Sequence, residues 1–277
     1  MLKKLLKHEF RYYRKFMLIT MLVMVVSVLF IRLAIVAFDH MPANVDTVAE
    51  TLMDLASIPL MMLCMVLYYT ALLSLAVPHV FGAVRYYRNL TQDQGYLSFT
   101  LPVKPSQHVF CKTLVPLVWS FILTLVLIMT VVLAFLVGNA DLLEFAEFFH
   151  TIGEGIAEIG IWGGAWITLF LFFAVISSIC SVVMVNFAIS LGQLFRKHKL
   201  IGAILSYLGL NTVISMVTGI FSALALFLID FEATQAGQAL NGYMIGYLFS
   251  MSILMLILTV VMYWLCCHIM TKKLNLE

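Results

Sequence analysis

Six apolar runs, each long enough to cross a lipid bilayer, limit what this chain can fold into. They cover about residues 16–38, 57–82, 113–137, 161–192, 200–229 and 242–270. A helix needs about 20 apolar residues to cross the hydrocarbon core. Only 11% of the residues are charged, against about 25% in soluble domains. The sequence therefore predicts an all-α integral membrane protein with six transmembrane helices, forming one domain over residues 1–277.

The charged residues between these runs alternate in sign along the chain. All of the 16 lysines and arginines except Arg32 lie in four segments, 1–15, 83–112, 193–199 and 271–277. Eleven of the 14 acidic residues lie in the three intervening loops, 39–56, 138–160 and 230–241. Cytoplasmic loops of membrane proteins are enriched in lysine and arginine. The pattern predicts that both termini and both basic loops are cytoplasmic.

The first 15 residues have the pattern of an amphipathic helix. Leu2, Leu6 and Tyr13 belong to an apolar stripe at helical spacing, and basic residues fill much of the remainder. Basic amphipathic helices lie in the membrane interface. We therefore predict an interfacial N-terminal helix ahead of the first span. Its expected membrane anchors are Lys3, Lys4, Lys7 and Arg11.

Two features inside the spans each admit two interpretations. A charge at mid-bilayer costs about 3 kcal/mol or more, but Arg32 lies in the outer half of the first span. It either snorkels to the interface or faces a pathway or partner. Asn211, Ser215 and Gly219 recur every four residues in the fifth span, which lets another helix approach closely. This row is either a subunit interface or pathway wall, or a packing contact within one bundle.

Catalytic patterns are missing from the sequence. No acidic residue lies within a span, and His8-Glu9 is not followed by the second histidine of an H-E-x-x-H zinc site. No glycine is followed by lysine, so there is no P-loop. We predict no catalytic residue, no metal site and no cofactor in this chain, and no nucleic-acid partner. The sequence also lacks the ionisable residues that carriers driven by protons or sodium usually have at mid-membrane. If the protein transports a substrate, the energy would have to come from a partner.

The polar stretch 83–112, between the second and third runs, is the candidate contact with that partner. It combines basic residues with the aromatic residues Tyr86, Tyr87, Tyr96 and Phe99. We expect a cytoplasmic loop whose aromatic side chains are exposed. They would either fill a cleft on a soluble partner or lie at the lipid interface, as aromatic belts do.

Part of this stretch resembles a known family. Residues 87–114 read YRNLTQDQGYLSFTLPVKPSQHVFCKTL, and residues 93–103 form the resembling core, DQGYLSFTLPV. They are similar to the permease subunits of ATP-binding-cassette (ABC) exporters of the ABC-2 type, in their small Firmicute-like bacterial branch. Members of that branch typically show an acidic residue followed by Gly-Tyr-Leu-Thr-Phe-Thr-Leu-Pro. This chain departs from the pattern at Gln94 and Ser98.

The resemblance implies partners and a location. The chain would be a multi-pass permease in a bacterial plasma membrane. It would assemble with two copies of an ABC ATP-binding subunit, which hold ATP and Mg²⁺, and with a second permease subunit, the same or homologous. Membrane lipid surrounds it. The loop between spans two and three would couple to the ATPase through Gln94, Gly95, Tyr96, Leu97, Phe99, Leu101 and Pro102, supported by Arg85 and Arg88.

Two function classes therefore remain open at the level of sequence. One is the permease of an ATP-driven exporter for an amphipathic substrate such as an antimicrobial peptide, a drug or a lipid. The other is a non-transporting membrane immunity or sensory protein that binds a peptide or lipid. ATP-dependent movement of substrate would separate the two.

Overall fold

The computed structural model describes residues 2–39, 47–91, 105–136, 147, 150–151, 153–155, 161–195, 198–227 and 237–272. Its helices are α1 (Leu2–Asp39), α2 (Thr47–Ser74), α3 (Val77–Thr91), α4 (Pro105–Leu136), α5 (Ile161–Gly192), α6 (Lys199–Phe227) and α7 (Gly237–Lys272). The described residues contain no strand. All of these helices except α3 are long and apolar enough to cross a membrane. The chain is a multi-pass membrane protein, helical throughout its described elements, and the six helices of sufficient length and hydropathy among the described residues agree with the predicted number of spans.

Helix α1 is continuous through the boundary predicted near residue 15. No glycine or proline interrupts its 38 residues, which extend about 57 Å at 1.5 Å per residue. The structure therefore has one helix where the sequence predicted a surface helix followed by a span. Since a hydrocarbon core is about 30 Å thick, α1 is long enough to project well beyond it.

The second predicted span, 57–82, is interrupted before Pro78. Helix α2 ends at Ser74, and the backbone N–H groups of Leu75 and Ala76 bond to carbonyl oxygens three residues back. Helix α3 then begins at Val77. Proline has no N–H to donate to a helical carbonyl, which explains why the break lies next to Pro78. A proline at position 78 predicts such an interruption from the sequence alone. The structure confirms it, and residues 77–82 belong to the next helix.

The polar stretch 83–112 is helical at both of its described ends. Residues 83–91 form the end of α3, and residues 105–112 form the first turns of α4. The helices therefore extend into both ends of the segment that the sequence pattern assigns to the coupling loop. The physical reason is that several polar side chains of this stretch are buried within the protein, among them Arg85, His108 and Lys112, and each of these three has an interaction partner.

The helices pack in two compact units. The first combines Met1–Lys7, Phe81–Leu117 and Gly153–Glu277; the second combines His8–Val80 and Val118–Ile152. Within the first unit, α5 packs against both α6 and α7. Within the second, α1 buries one stripe of side chains at helical spacing, including Tyr13, Met17 and Met24. The single domain predicted from the sequence stays a prediction.

Two glycines allow close packing where α5, α6 and their connection meet. A Cβ atom at Gly192 would lie 2.6 Å from the backbone nitrogen of Ala203. A Cβ at Gly202 would lie 2.5 Å from the ring of Phe195. Real Cβ atoms do not come this close to their neighbours, so only glycine fits at these positions without a shift. The hairpin α5–α6 is therefore tightly closed at this end.

Candidate coupling site

The resembling motif itself falls between the helices that the structure describes. Its predicted coupling residues Gln94, Gly95, Tyr96, Leu97, Phe99, Leu101 and Pro102 lie outside the described residues. The structure does describe the helix that leads into the motif, α3, and the helix that follows it, α4. The contacts that α3 and α4 make with the rest of the protein determine which helices a movement of residues 92–104 would displace.

Tyr86 of α3 is fully buried. Its relative exposure is 0%, so the expectation that it is an exposed aromatic side chain is wrong. Its hydroxyl lies 2.9 Å from Ser190 Oγ of α5 and 3.2 Å from Cys266 Sγ of α7. Burial raises the pKa of the Tyr86 phenol well above its ordinary value, so the side chain stays protonated and remains a hydrogen-bond donor.

The directions of these hydrogen bonds follow from the number of available protons. Ser190 Oγ donates to the carbonyl oxygen of Asn186 at 2.9 Å. A serine hydroxyl has one hydrogen to donate, so Tyr86 Oη donates to Ser190 Oγ. Cys266 Sγ also lies 3.2 Å from Ser190 Oγ, and its S–H is left to donate to one of the two oxygens. Each of the three buried polar groups thus has a hydrogen-bonding partner.

A second buried contact connects α4 to the same face of α5. Asn186 Nδ2 donates to Thr113 Oγ1 at 3.0 Å, and Thr113 Oγ1 donates to the carbonyl oxygen of Val109 at 2.9 Å. Asn186 and Ser190 are four residues apart and therefore adjacent on one helix face. We call the set Tyr86, Thr113, Asn186, Ser190 and Cys266 the junction. It connects α3, α4 and α7 through α5.

Apolar side chains enclose the junction. Leu90 of α3 and Val109 of α4 belong to the same buried cluster as Phe187 of α5 and Ile269 of α7. Exclusion of water strengthens the enclosed hydrogen bonds and makes an unpaired polar group costly. The two helix ends that flank the motif are therefore fixed to α5 and α7 by specific polar contacts as well as by apolar packing.

The two arginines predicted to support coupling differ in environment. Arg85 is buried, at 9% exposure, and has a partner within the protein. It is therefore poorly placed to meet a soluble partner, and its supporting role stays a prediction. Arg88 is exposed in the last turn of α3 and lines a cavity between α3, α5 and α6.

The remaining predicted residues lie apart from the junction. The proposed anchors Lys3, Lys4, Lys7 and Arg11 are exposed on α1. Arg32 is half-buried and has an interaction partner. Asn211, Ser215 and Gly219 are exposed on α6, and a side chain at Gly219 would meet no described atom within 4 Å. For this row, packing against other described helices of the same chain is disfavoured.

Sequence reasoning did not identify Thr113, Asn186, Ser190 or Cys266 as site residues. A partial signal was present, because Asn186 and Ser190 are polar, four residues apart and near the end of a long apolar run. Small hydroxyl and thiol groups are common in transmembrane helices, however, and often bond only to their own backbone. Their pairing with Tyr86 depends on three segments that are far apart in sequence.

The junction itself is a structural arrangement. Among the residues that the structure describes, no group of three or more His, Cys, Asp and Glu side chains could hold a metal ion. The junction contains one thiol, two hydroxyls, one phenol and one amide, connected by hydrogen-bonding contacts that include the backbone carbonyl of Asn186. Its chemistry fixes positions of helices relative to α5.

Comparisons with protein-family models, with curated proteins and with solved structures find no match to this chain. The proposals below therefore rest on the sequence and the structure of the chain itself.

Proposed function

We propose that this protein is the membrane-spanning permease subunit of an ATP-driven exporter of the ABC-2 type. Two ATP-binding subunits would supply the energy through ATP and Mg²⁺, since this chain has no P-loop. A second permease subunit, the same or homologous, would complete the transporter. Its place would be a bacterial plasma membrane, with both termini cytoplasmic and an amphipathic molecule as cargo.

The observation that carries the proposal is the junction. It fixes α3 to α5 and α7 through Tyr86, and α4 to α5 through Thr113. Residues 92–104, which carry the resembling motif, are connected to the junction at both ends. A displacement of this segment by a closing ATPase dimer would therefore act on α5 and α7 through buried contacts.

The charge distribution supports a cytoplasmic location for the segment 92–104. The segment joins α3 and α4 within a basic stretch, and basic loops are typical of the cytoplasmic face, where ATP is present. The exposed row Asn211, Ser215 and Gly219 is the proposed contact with the second permease subunit, since small residues let helices from two subunits approach closely.

Site-specific crosslinking tests the proposal most directly. A photoreactive phenylalanine analogue at Tyr96 or Phe99, in native membranes, should give an adduct with a protein that carries a P-loop sequence. The same analogue at Tyr68, an exposed residue of the α2 span, is the matched control and should give no such adduct. If neither Tyr96 nor Phe99 yields a P-loop protein while the chain is intact in the membrane, the coupling proposal is wrong.

A further inference from the structure

A cavity of about 570 Å³ lies between α3, α5 and α6. This volume is within the range of about 300–1,000 Å³ that is typical of small-molecule sites. Its floor includes Ala188 and Ala203, which are almost completely buried, while Leu200 and Ile204 at its rim are more than half exposed. The small floor residues give the groove depth, and the exposed rim opens it to the side.

One end of this groove carries a cation. Arg88 lines it, and none of the described residues that line it is acidic. The remaining described lining is apolar or aromatic, including Tyr87 and Tyr207. A groove of this kind matches a ligand with one anionic group and one long apolar part.

The groove extends from the end of the α5–α6 hairpin into the helices. Leu200 and Tyr207, both in its lining, are separated by about 10 Å along α6 at 1.5 Å per residue. On α3, Tyr86 bonds to Ser190, two residues before α5 ends. Arg88 follows Tyr86 by two residues, so it lies within one helical turn of that level. The cation is thus near the helix ends, and the apolar part of the groove runs toward the middle of the span.

We propose that this groove is a binding site for one anionic phospholipid of the surrounding leaflet. An acyl chain would lie along Ala188, Ala203 and Ile204, and the lipid phosphate would contact the guanidinium of Arg88. A guanidinium can donate two parallel hydrogen bonds to phosphate, and the lateral opening admits a lipid without passage through water. The proposal requires the membrane span but no ATPase and no transport.

Charge and shape together favour an anionic phospholipid. A zwitterionic lipid carries a phosphate as well, but its own ammonium group offsets that charge. A free phosphorylated head group would leave the apolar groove unfilled. The ligand class therefore needs both the net negative charge and the acyl chain.

Native mass spectrometry of the purified chain tests this assignment. The chain would be delipidated in detergent and given equal amounts of phosphatidylglycerol and phosphatidylethanolamine with identical acyl chains. We expect one retained phosphatidylglycerol per chain in preference to phosphatidylethanolamine. Glycerol 3-phosphate, which is the head group without acyl chains, should neither bind nor compete.

Two variants separate the charge from the groove. Arg88→Gln should reduce phosphatidylglycerol occupancy about fivefold, as expected for loss of one basic residue near anionic lipid, and Arg88→Lys should restore most of it. Ile204→Trp should reduce retention of both lipids because its larger side chain occupies the groove. The controls are Arg14→Gln, an exposed arginine of α1, and Leu205→Trp, which is exposed beside the groove but outside its lining.

The proposal is overturned if Arg88→Gln and Arg14→Gln lower occupancy equally, or if Ile204→Trp behaves like Leu205→Trp. A thermal-shift measurement provides a second criterion: phosphatidylglycerol should raise the melting temperature of the wild type and of Leu205→Trp, but not of Ile204→Trp. Since no ATPase is present in either assay, a negative result here leaves the crosslinking result for Tyr96 and Phe99 unaffected. A negative crosslinking result likewise leaves the lipid-binding result unaffected.

Discussion

The hydroxyl of Tyr86 shows how much one atom can determine. Without it, Tyr86 would be one apolar ring among several in the cluster formed with Leu90 and Val109. With it, α3 donates a hydrogen bond to Ser190 and places the same oxygen 3.2 Å from Cys266 Sγ, whose S–H can donate to it. Hydrogen bonds have directional geometry, so they fix the position of α3 along α5 more narrowly than apolar packing alone.

Substitution of Tyr86 by phenylalanine tests this contribution. Tyr86→Phe keeps the ring and removes the donor to Ser190, leaving buried polar groups with fewer partners. We expect a loss of about 1–3 kcal/mol in stability, measured as a lower thermal unfolding temperature in detergent. Tyr68→Phe is the control, since Tyr68 is exposed on α2. Equal unfolding temperatures for the two variants would contradict the proposed role of the hydroxyl.

Arg85 and Tyr86 also show where residue-level prediction fails. Both are polar, lie in a basic stretch, and were expected at the surface. Both are buried, because partners within the protein satisfy them. The residue type shows that a side chain is polar, but it does not show whether a residue distant in sequence, such as Ser190 or Cys266, will form a hydrogen bond with it. The local pattern therefore could not distinguish a solvated loop from a helix with buried polar contacts.

At the scale of elements, the sequence predicted the spans well. The length and apolar composition of each run determine a transmembrane helix almost independently of the rest of the chain, because the backbone must satisfy its own hydrogen bonds in lipid. The interruption near Pro78 was predictable for an equally local reason. The extension of helix through residues 83–91 and 105–112 was missed, since it depends on contacts with α5 and α7.

The α5–α6 hairpin offers a test of element packing. Gly192→Ala places a Cβ against the backbone of Ala203, which cannot rotate away as a flexible side chain could. Overpacking of this kind costs about 1–3 kcal/mol, so we expect a lower unfolding temperature and weaker folding yield.

Gly209→Ala on α6 is the matched control for this substitution. A side chain there meets no described atom within 4 Å, and alanine is a better helix former than glycine. This variant should be neutral or slightly more stable. If Gly192→Ala were as stable as Gly209→Ala, the close approach of α5 and α6 would not be a constraint on the sequence.

At the scale of the whole molecule, the described residues contain six helices long and apolar enough to cross a membrane. The orientation of these helices in the membrane is a prediction from the charges of the loops. Cysteine labelling tests that orientation. In a variant whose native cysteines are replaced by serine, Lys15→Cys and Glu147→Cys place single thiols at exposed positions of α1 and of the second acidic loop. A membrane-impermeant maleimide applied to intact cells should label position 147, and position 15 only after permeabilisation. Labelling of both positions from the same side would overturn the six-span topology with cytoplasmic termini.

The junction has a consequence for the order in which the protein is made. The α5–α6 hairpin joins residues that are close in sequence, so its contacts can form as soon as both helices have left the ribosome. The junction cannot, because Cys266 belongs to α7, the last described helix, while Tyr86 is synthesised 180 positions earlier. During synthesis, the contact between Tyr86 and Cys266 can therefore form only after α7 has been made. The connection between the motif-bearing segment and the transmembrane helices is therefore complete only after α7 has been inserted into the membrane.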